Sequence, residues 1–356
     1  VIMSKRSATE ELKGGQENRD LLGITVNQHV ALEEHAHAKA TGDFTQLLYE
    51  IIVASKVVNS KVNLAGIAEV IGEKGTTNVQ GETVKILDEL ANDILIRRLL
   101  NSGLVCMLLS EENDEPVYPK DEYLSSKYVV AMDPLDGSSN IACNVPIGTI
   151  FGIWARVTDS SQKPDMTDAL QPGSNLVCAG YVLYGPSSML VYTTGQGVHG
   201  FTLDPSIGEF ILTHKDMKFP AKPKCYSANE SYWNYWTDGV KNFVNWCRDE
   251  DKEMGRPYTA RYVGSLVSDF HRNLLYGGVF MYPADTKSAK TPFGKLRLLY
   301  EAAPLAFIAE NAGGKASTGN EDILKFVPKT VHQRVPLYIG NKREVEKAVE
   351  FLSKDK

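Results

Sequence analysis

The chain reads as an α/β protein in the α+β sense, on three observations. Apolar residues recur at helical spacing before residue 100, and apolar runs of strand length take over after it. A Lys/Pro-rich stretch at 215–224, KDMKFPAKPK, then separates two halves, expected as domains 1–215 and 216–356. A chain of 356 residues is long enough to bury ample core in two such units. Its 43% hydrophobic and 23% charged residues exclude a disordered chain. The 38 Lys+Arg against 44 Asp+Glu leave a net charge of −6, which argues against a dominant nucleic-acid-binding role.

Residues 1–20 are polar and charged, without an apolar segment of signal-peptide type, and the first 25 residues are expected to be frayed. A short Ala- and Glu-rich helix is expected over His29 to Lys39. Thr41-Gly42-Asp43 punctuates, and Phe44, Leu47, Leu48, Ile51 and Ile52 give the next helix one apolar stripe. Residues 72–83, GEKGTTNVQGET, read as a mobile loop. A second amphipathic helix carries Leu87, Leu90, Ile94 and Leu95. Strands follow at Leu104 to Leu109, Tyr128 to Met132 and Ile147 to Trp154. Tyr181 to Tyr184, Met189 to Thr193 and Gly208 to Leu212 predict an antiparallel meander. The second half closes with a helix from Lys295 to Asn311, a strand at Val335 to Ile339 and a charged terminal helix. No apolar run approaches the roughly 18 residues of a membrane helix. The five cysteines are widely spaced without a C-x-x-C pair and read as reduced, buried thiols. Neither they nor the seven histidines show ligand spacing, so no zinc site is expected.

Two of these strands end in acids: Glu111-Glu112 after the first, Asp133 and Asp136 after the second. Clustered carboxylates raise one another's pKa unless a cation sits among them. Solvated loop ends would explain Glu111-Glu112 alone. The octet Asp133-Pro134-Leu135-Asp136-Gly137-Ser138-Ser139-Asn140 is harder to explain that way. Pro134 cannot donate to a strand ladder, so the strand is expected to stop there, with Asp133 and Asp136 converging in a turn. Gly137 permits close backbone approach, and Ser138, Ser139 and Asn140 are good helix-start residues with exposed N–H groups for an anion. An all-oxygen ligand set points to magnesium or manganese. Glu301 lies in the apolar run Leu298-Leu299-Tyr300-Glu301-Ala302, where an acid needs a partner or a metal.

The octet DPLDGSSN resembles the signature of the lithium-sensitive, metal-dependent sugar phosphatases. NVQGETVKILD, LLSEEN, IGTIFGIW, YSANESY, RYVGSLVSDFHR, YGGVFMYP and GKLRLLYEAAPLAFIAENAGG, in that order, are similar to segments of the fructose-1,6-bisphosphatase family over about residues 40–340. The resemblance implies a layered α/β/α/β/α sandwich, with an amino-terminal regulatory domain carrying most metal ligands and a carboxyl-terminal catalytic domain. It implies hydrolysis of the 1-phosphate of fructose 1,6-bisphosphate, in gluconeogenesis, giving fructose 6-phosphate and orthophosphate. Glu111, Glu112, Asp133, Asp136, Glu301 and the Leu135 carbonyl match the ligands of two or more Mg2+ or Mn2+ ions. Gly137, Ser138 and Ser139 match the 1-phosphate cradle, and Arg297 the cation beside the reacting phosphate. Asn229, Tyr232, Tyr262, Tyr282 and Lys295 match the 6-phosphate pocket. Arg261 matches an arginine that reaches the neighbouring subunit's 6-phosphate, which implies a homotetramer. Lys287, Lys290 and Lys315 are expected to be solvated.

The resemblance also implies in-line attack by water, with Glu82 and Glu112 taking its proton; the family usually has aspartate where Glu82 stands. Inhibition by AMP is implied by Thr41, Gly42, Asp43, Phe44 and Thr45, which match the family's phosphate-binding helix start, and by Lys127 and Tyr128. The family's arginine after the GTIFGI-aromatic strand is displaced here, with Ala155 in its place and Arg156 following. A one-residue shift on a strand reverses the face. A sedoheptulose bisphosphatase or inositol phosphatase of the same architecture, a non-enzymatic sugar-phosphate sensor and a structural scaffold are the alternatives. The sensor would require loss of a ligand or base, and the scaffold leaves the clustered acids unexplained. A cytoplasmic location is expected, without a membrane or nucleic-acid partner. A peroxisome-like organelle is the alternative if the natural chain continues past Lys356, because Lys354-Asp355-Lys356 is not a peroxisomal tripeptide.

Overall fold

The computed structural model describes residues 23–34, 42–65, 73–77, 83–287 and 293–355. Helix α1 (Val26–Glu34) starts earlier than its composition predicts, because the Thr25 hydroxyl accepts from the Gln28 N–H and caps it. Residues 35–39 of that expected helix lie outside the described residues. Helix α2 (Asp43–Asn63) starts at Gly42, whose φ of 75° is left-handed, and buries Leu47, Leu48, Ile51 and Ile52 as the stripe requires. The segment read as a loop is in part a hairpin, β1 (Glu73–Thr77) against β2 (Thr83–Lys85). Thr76, Thr77, Thr83 and Val84 are β-branched, and that preference prevails over the neighbouring glycines. Helix α3 (Ile86–Leu100) follows without a break.

A seven-stranded sheet then takes the order of the chain: β3 (Val105–Ser110), β4 (Tyr128–Asp136), β5 (Ile147–Ala155), β6 (Leu176–Tyr184), β7 (Ser188–Thr193), β8 (His199–Asp204) and β9 (Glu209–His214). Only β3 and β4 pair in parallel. Strand β8 has no counterpart in the sequence reading; HGFTLD lacks a clean alternation. Strand β4 runs through Pro134, against expectation. The ladder to β5 shifts register between Asp133 and Asp136, and this bulge absorbs the missing donor. A helical turn, α4 (Met166–Ala169), sits between β5 and β6.

The second half builds a five-stranded sheet in the order β11-β10-β12-β16-β14. Its parts are β10 (Cys225–Ser227), α5 (Asp238–Arg248), β11 (Thr259–Ala260), α6 (Leu266–Tyr276), β12 (Gly278–Tyr282), β13 (Leu296–Arg297), α7 (Ala303–Asn311), β14 (Gly314–Ser317), β15 (Arg334–Val335), β16 (Leu337–Asn341) and α8 (Lys342–Leu352). The single helix expected over Lys295 to Asn311 is β13, then a π-helical turn (Leu298–Ala302), then α7. Pro304 falls in the first turn of α7, where its missing N–H costs nothing; inside one long helix it would break the ladder. Pro336 likewise divides the strand expected at Val335 to Ile339.

Three apolar cores define the layers. One joins α1, α2 and α3 to one face of the large sheet. A second joins its other face to α6, the π turn and α7, and these to the small sheet. A third joins the small sheet to α5 and α8. The stack is therefore α/β/α/β/α. In the central layer Leu298, Leu299, Leu305 and Ile308 are all buried. Each such side chain contributes about 1.5–3 kcal/mol of apolar burial, which fixes Arg297 and Glu301 between the two sheets. Four cysteines are buried free thiols, as the sequence suggests, but Cys143 is exposed. Among the described residues, no helix is long and apolar enough to cross a membrane.

Candidate active site

The carboxyl ends of β3 and β4 lie side by side because these two strands pair in parallel. That pairing delivers Glu111 and Glu112 next to Asp133, Leu135 and Asp136 at one mouth of the sheet. The π turn brings Glu301 in from the central layer. Asp133, Asp136 and Glu301 are each buried and offer carboxylate oxygens within 4.8 Å of one another. A π turn is wider than an α turn, and it places Glu301 so that its carboxylate accepts the Arg297 backbone N–H at 2.5 Å. The Arg297 guanidinium lies 2.6 Å from Glu111 and 3.9 Å from Glu301.

The buried trio Asp133, Asp136 and Glu301 resists ionisation. Burial, then the neighbouring Glu111, Asp136 and Glu301, hold the Asp133 carboxyl well above its ordinary value. Burial pushes Asp136 up to about 7, although the Val267 N–H, 2.8 Å away, and the Ser265 hydroxyl, 3.3 Å away, favour its charged form. Burial also raises Glu301 to about 8, against the pull of Arg297. Such a group of acids suits a hard divalent cation, whose charge would restore the ionised forms.

The cavity holds about 390 Å³, and its lining is of two chemical kinds. The acids, Gly137, Ser138, Ser139 and Asn140 are one; Asn229, Tyr232, Tyr262, Tyr282 and Lys295 are the other. Gly137 has φ 80°, and a Cβ there would lie 2.7 Å from the Ser265 hydroxyl, so no other residue fits this turn. The 3₁₀ helix Ser138–Cys143 follows, tied to the second half by Asn140 donating to the Gly264 carbonyl at 3.0 Å. Tyr232 and Tyr282 meet edge to face, with ring centroids 6.5 Å apart. Burial raises the Tyr262 phenol to about 12, keeping it a neutral donor.

The fold therefore gathers every expected metal-ligand and phosphate-pocket residue except Arg261 into one cavity. Arg261 is exposed and outside its lining; its carbonyl accepts from Arg272 at 2.9 Å. Glu82 and Thr41 lie outside the described residues. Lys287, expected to be merely solvated, has its ammonium 3.9 Å over the Tyr232 ring centroid. Asp88, absent from the sequence reading, is buried in the first turn of α3 and lines the same cavity. The signal available was an acid beside Leu87 at the edge of the helix's apolar stripe.

The expected nucleotide site lies elsewhere. Asp43 at the start of α2 pairs with Lys127, and Phe44 meets Tyr128 edge to face with centroids 6.3 Å apart. The Thr45 hydroxyl is buried without a hydrogen-bond partner among the described residues. Arg156 is committed to the Leu124, Asp159 and Gln162 carbonyls at 2.6, 3.0 and 2.7 Å.

Comparison with known proteins agrees with this geometry. Residues 24–215 match the family model "Fructose-1-6-bisphosphatase, N-terminal domain", and residues 219–353 match its C-terminal counterpart. A class 1 fructose-1,6-bisphosphatase of Nitratidesulfovibrio vulgaris is 50% identical over 331 residues, covering 93% of this chain and 98% of the relative. One from Chloroherpeton thalassium is 52% identical over 329 residues, 92% of this chain and 93% of the relative. The crystal structure of Leishmania major fructose-1,6-bisphosphatase in holo form superposes with a TM-score of 0.85 at 39% identity, covering 93% of this chain and 99% of that one. Its apo form gives 0.80 at the same identity and coverage. The five-layer stack, the shared cavity and these matches across both halves establish that the chain belongs to the fructose-1,6-bisphosphatase family.

Proposed function

We infer that the cavity hydrolyses fructose 1,6-bisphosphate at its 1-phosphate, releasing fructose 6-phosphate and orthophosphate. The observation that carries this reading is one cavity lined both by cation-seeking acids and by an amide, three tyrosines and a lysine. A sugar with a phosphate at each end fits that division. An inositol monophosphate would leave Lys295 and the tyrosines without an anion.

Glu111, Glu112, Asp133, Asp136, Glu301 and the Leu135 carbonyl would hold Mg2+ or Mn2+. Their donor atoms are all oxygen, and the buried trio is held in reach of a common centre. A bound dication supplies charge neutralisation and a lowered pKa for water. Arg297 orients Glu111 and Glu301 and puts positive charge beside the reacting phosphate. Gly137, Ser138 and Ser139 hold the 1-phosphate. Asn229, Tyr232, Tyr262, Tyr282 and Lys295 grip the 6-phosphate and set the distance from it to the reacting phosphorus. Glu82 and Glu112 take the attacking water's proton.

Two finer readings accompany this one. Arg261, exposed on its own subunit, reaches a neighbour's 6-phosphate within a homotetramer. AMP binds at the start of α2, from Thr41 to Thr45, with Lys127 and Tyr128, and inhibits from there. The domain boundary falls at 215–216, ahead of the rest of the Lys/Pro stretch. The test of the main reading is orthophosphate release from fructose 1,6-bisphosphate, sedoheptulose 1,7-bisphosphate and inositol 1-phosphate at matched concentrations, with Mg2+ or with chelator. Preferred turnover of the fructose ester, abolished by chelator, is expected. Equal or better turnover of either alternative would overturn it.

A further inference from the structure

We propose, resting on the reading of the cavity given above, that Asp269 and Arg272 are positioning residues. They hold residues 261–264 in the shape that presents Tyr262 to the substrate's 6-phosphate, and so set a preference for a sugar bisphosphate over a monophosphate. Residues 261–264 belong to no helix or strand, so their backbone polar groups need partners from outside a ladder. The Arg261 N–H donates to the Tyr226 carbonyl at 2.9 Å. The N–H groups of Val263 and Gly264 both donate to the Asp269 carboxylate at 3.0 Å. The Arg261 carbonyl accepts from Arg272 at 2.9 Å. The Gly264 carbonyl accepts from Asn140, in the 3₁₀ helix that follows Gly137. Tyr262 stands in the middle of this segment and lines the cavity, although neither Asp269 nor Arg272 does.

Helix α6 supplies both residues from one face. Asp269 and Arg272 are three apart on it, and the guanidinium lies 2.7 Å from Asp269 Oδ1. Asp269 is fully buried, so its charge needs that partner. The same guanidinium nitrogen is 2.7 Å from the Ser227 hydroxyl of β10, which ties the segment to the small sheet as well. The first turn of α6 is pinned in turn to the acids, because the Val267 N–H and the Ser265 hydroxyl donate to Asp136 at 2.8 and 3.3 Å. One helix thus spaces Tyr262 from Asp136. A phosphate gripped by Tyr262 then stands at a set distance from the reacting phosphorus. Without Arg272, the Arg261 carbonyl loses a donor and the Asp269 carboxylate loses its countercharge. Tyr262, itself 37% exposed, then loses the backbone that aims it. A lysine would keep the charge toward Asp269 but not the reach and planar fork of arginine.

The test compares kcat/KM for fructose 1,6-bisphosphate with that for fructose 1-phosphate, which lacks the 6-phosphate, using the full chain in saturating Mg2+. The wild type should favour the bisphosphate. Arg272→Met should cut that preference by about tenfold or more, chiefly through KM for the bisphosphate, and Arg272→Lys should recover part of it. Combining Tyr262→Phe with Arg272→Met should cost less than the two single losses together, because Arg272 acts through Tyr262. A loss of equal size on both substrates, a preference left intact, or strict additivity with Tyr262→Phe would overturn the proposal. A wild type indifferent to the 6-phosphate would instead sink the reading of the cavity, and the proposal with it. Should Arg272→Met fail to fold, Arg272→Lys decides: a preference below that of the wild type supports the proposal, and an unchanged one refutes it.

Discussion

The Arg297 guanidinium lies 2.6 Å from the Glu111 carboxylate, joining the π turn of the central layer to the mouth of the large sheet. Both side chains are buried, at 4% and 11% exposure, so the pair is little screened. Arg297 is thus a cation built in among the acids, and the proposed divalent ions would add to it.

Arg297→Ala should then do two things. Removing one partner of a buried pair costs about 3–5 kcal/mol, measurable by urea unfolding in chelator. With Mg2+ present, kcat for fructose 1,6-bisphosphate should fall at least 100-fold, since charge at the reacting phosphate is lost. A variant with wild-type turnover would place Arg297 in a structural role alone.

A second link crosses the same junction. The Tyr300 hydroxyl donates to His332 Nδ1 at 2.7 Å, and His332 Nε2 donates to the Asp114 carbonyl at 3.1 Å. This chain ties the residue before Glu301 to the loop after Glu112. His332→Ala should raise several-fold the Mg2+ concentration giving half-maximal turnover, while KM for the sugar at saturating Mg2+ changes little. His332→Gln, which keeps a donor toward Asp114, should recover part of the loss. An unchanged Mg2+ dependence in both variants would count against the link.

Stability below neutral pH should carry the mark of His271. It is buried on α6 with Nδ1 2.7 Å from the Tyr181 hydroxyl, and burial, then His214, lowers it from 6.5 to about 4. Between those values the unfolded chain binds a proton that the folded one refuses. Stability is therefore full above pH 6.5 and is lost as pH falls toward 4, by about 3 kcal/mol from this group. Urea unfolding of wild type and His271→Gln across that window should show a shallower fall in the variant. Parallel curves would mean that His271 is not the group responsible.

Glu82→Gln should lower kcat by about 100-fold or more and leave KM nearly unchanged, as removal of a general base does. Steady-state kinetics in Mg2+ measures both. A near-normal rate would exclude Glu82 from proton transfer.

What could be read beforehand divides along physical lines. Asp133 and Asp136 were legible because a Pro, a Gly and two Ser compress a bulge and a tight turn into eight consecutive residues. Arg297 and Glu301 were legible through resemblance, and the apolar run around Glu301 added weight. Their geometry was not, because LRLLYEAAP fits one α-helix by periodicity and only Pro304 signals the break. Asp88 hid at the edge of an apolar stripe.

The account turns on the acids at the ends of β3 and β4 holding divalent cations against a sugar phosphate. Mn2+ binding followed by electron paramagnetic resonance, with fructose 6-phosphate and phosphate present, tests this most directly. About two tightly bound ions per chain are expected in the wild type, with loss of at least one in Asp133→Asn. Binding that is absent from the wild type, or identical in the variant, would contradict it.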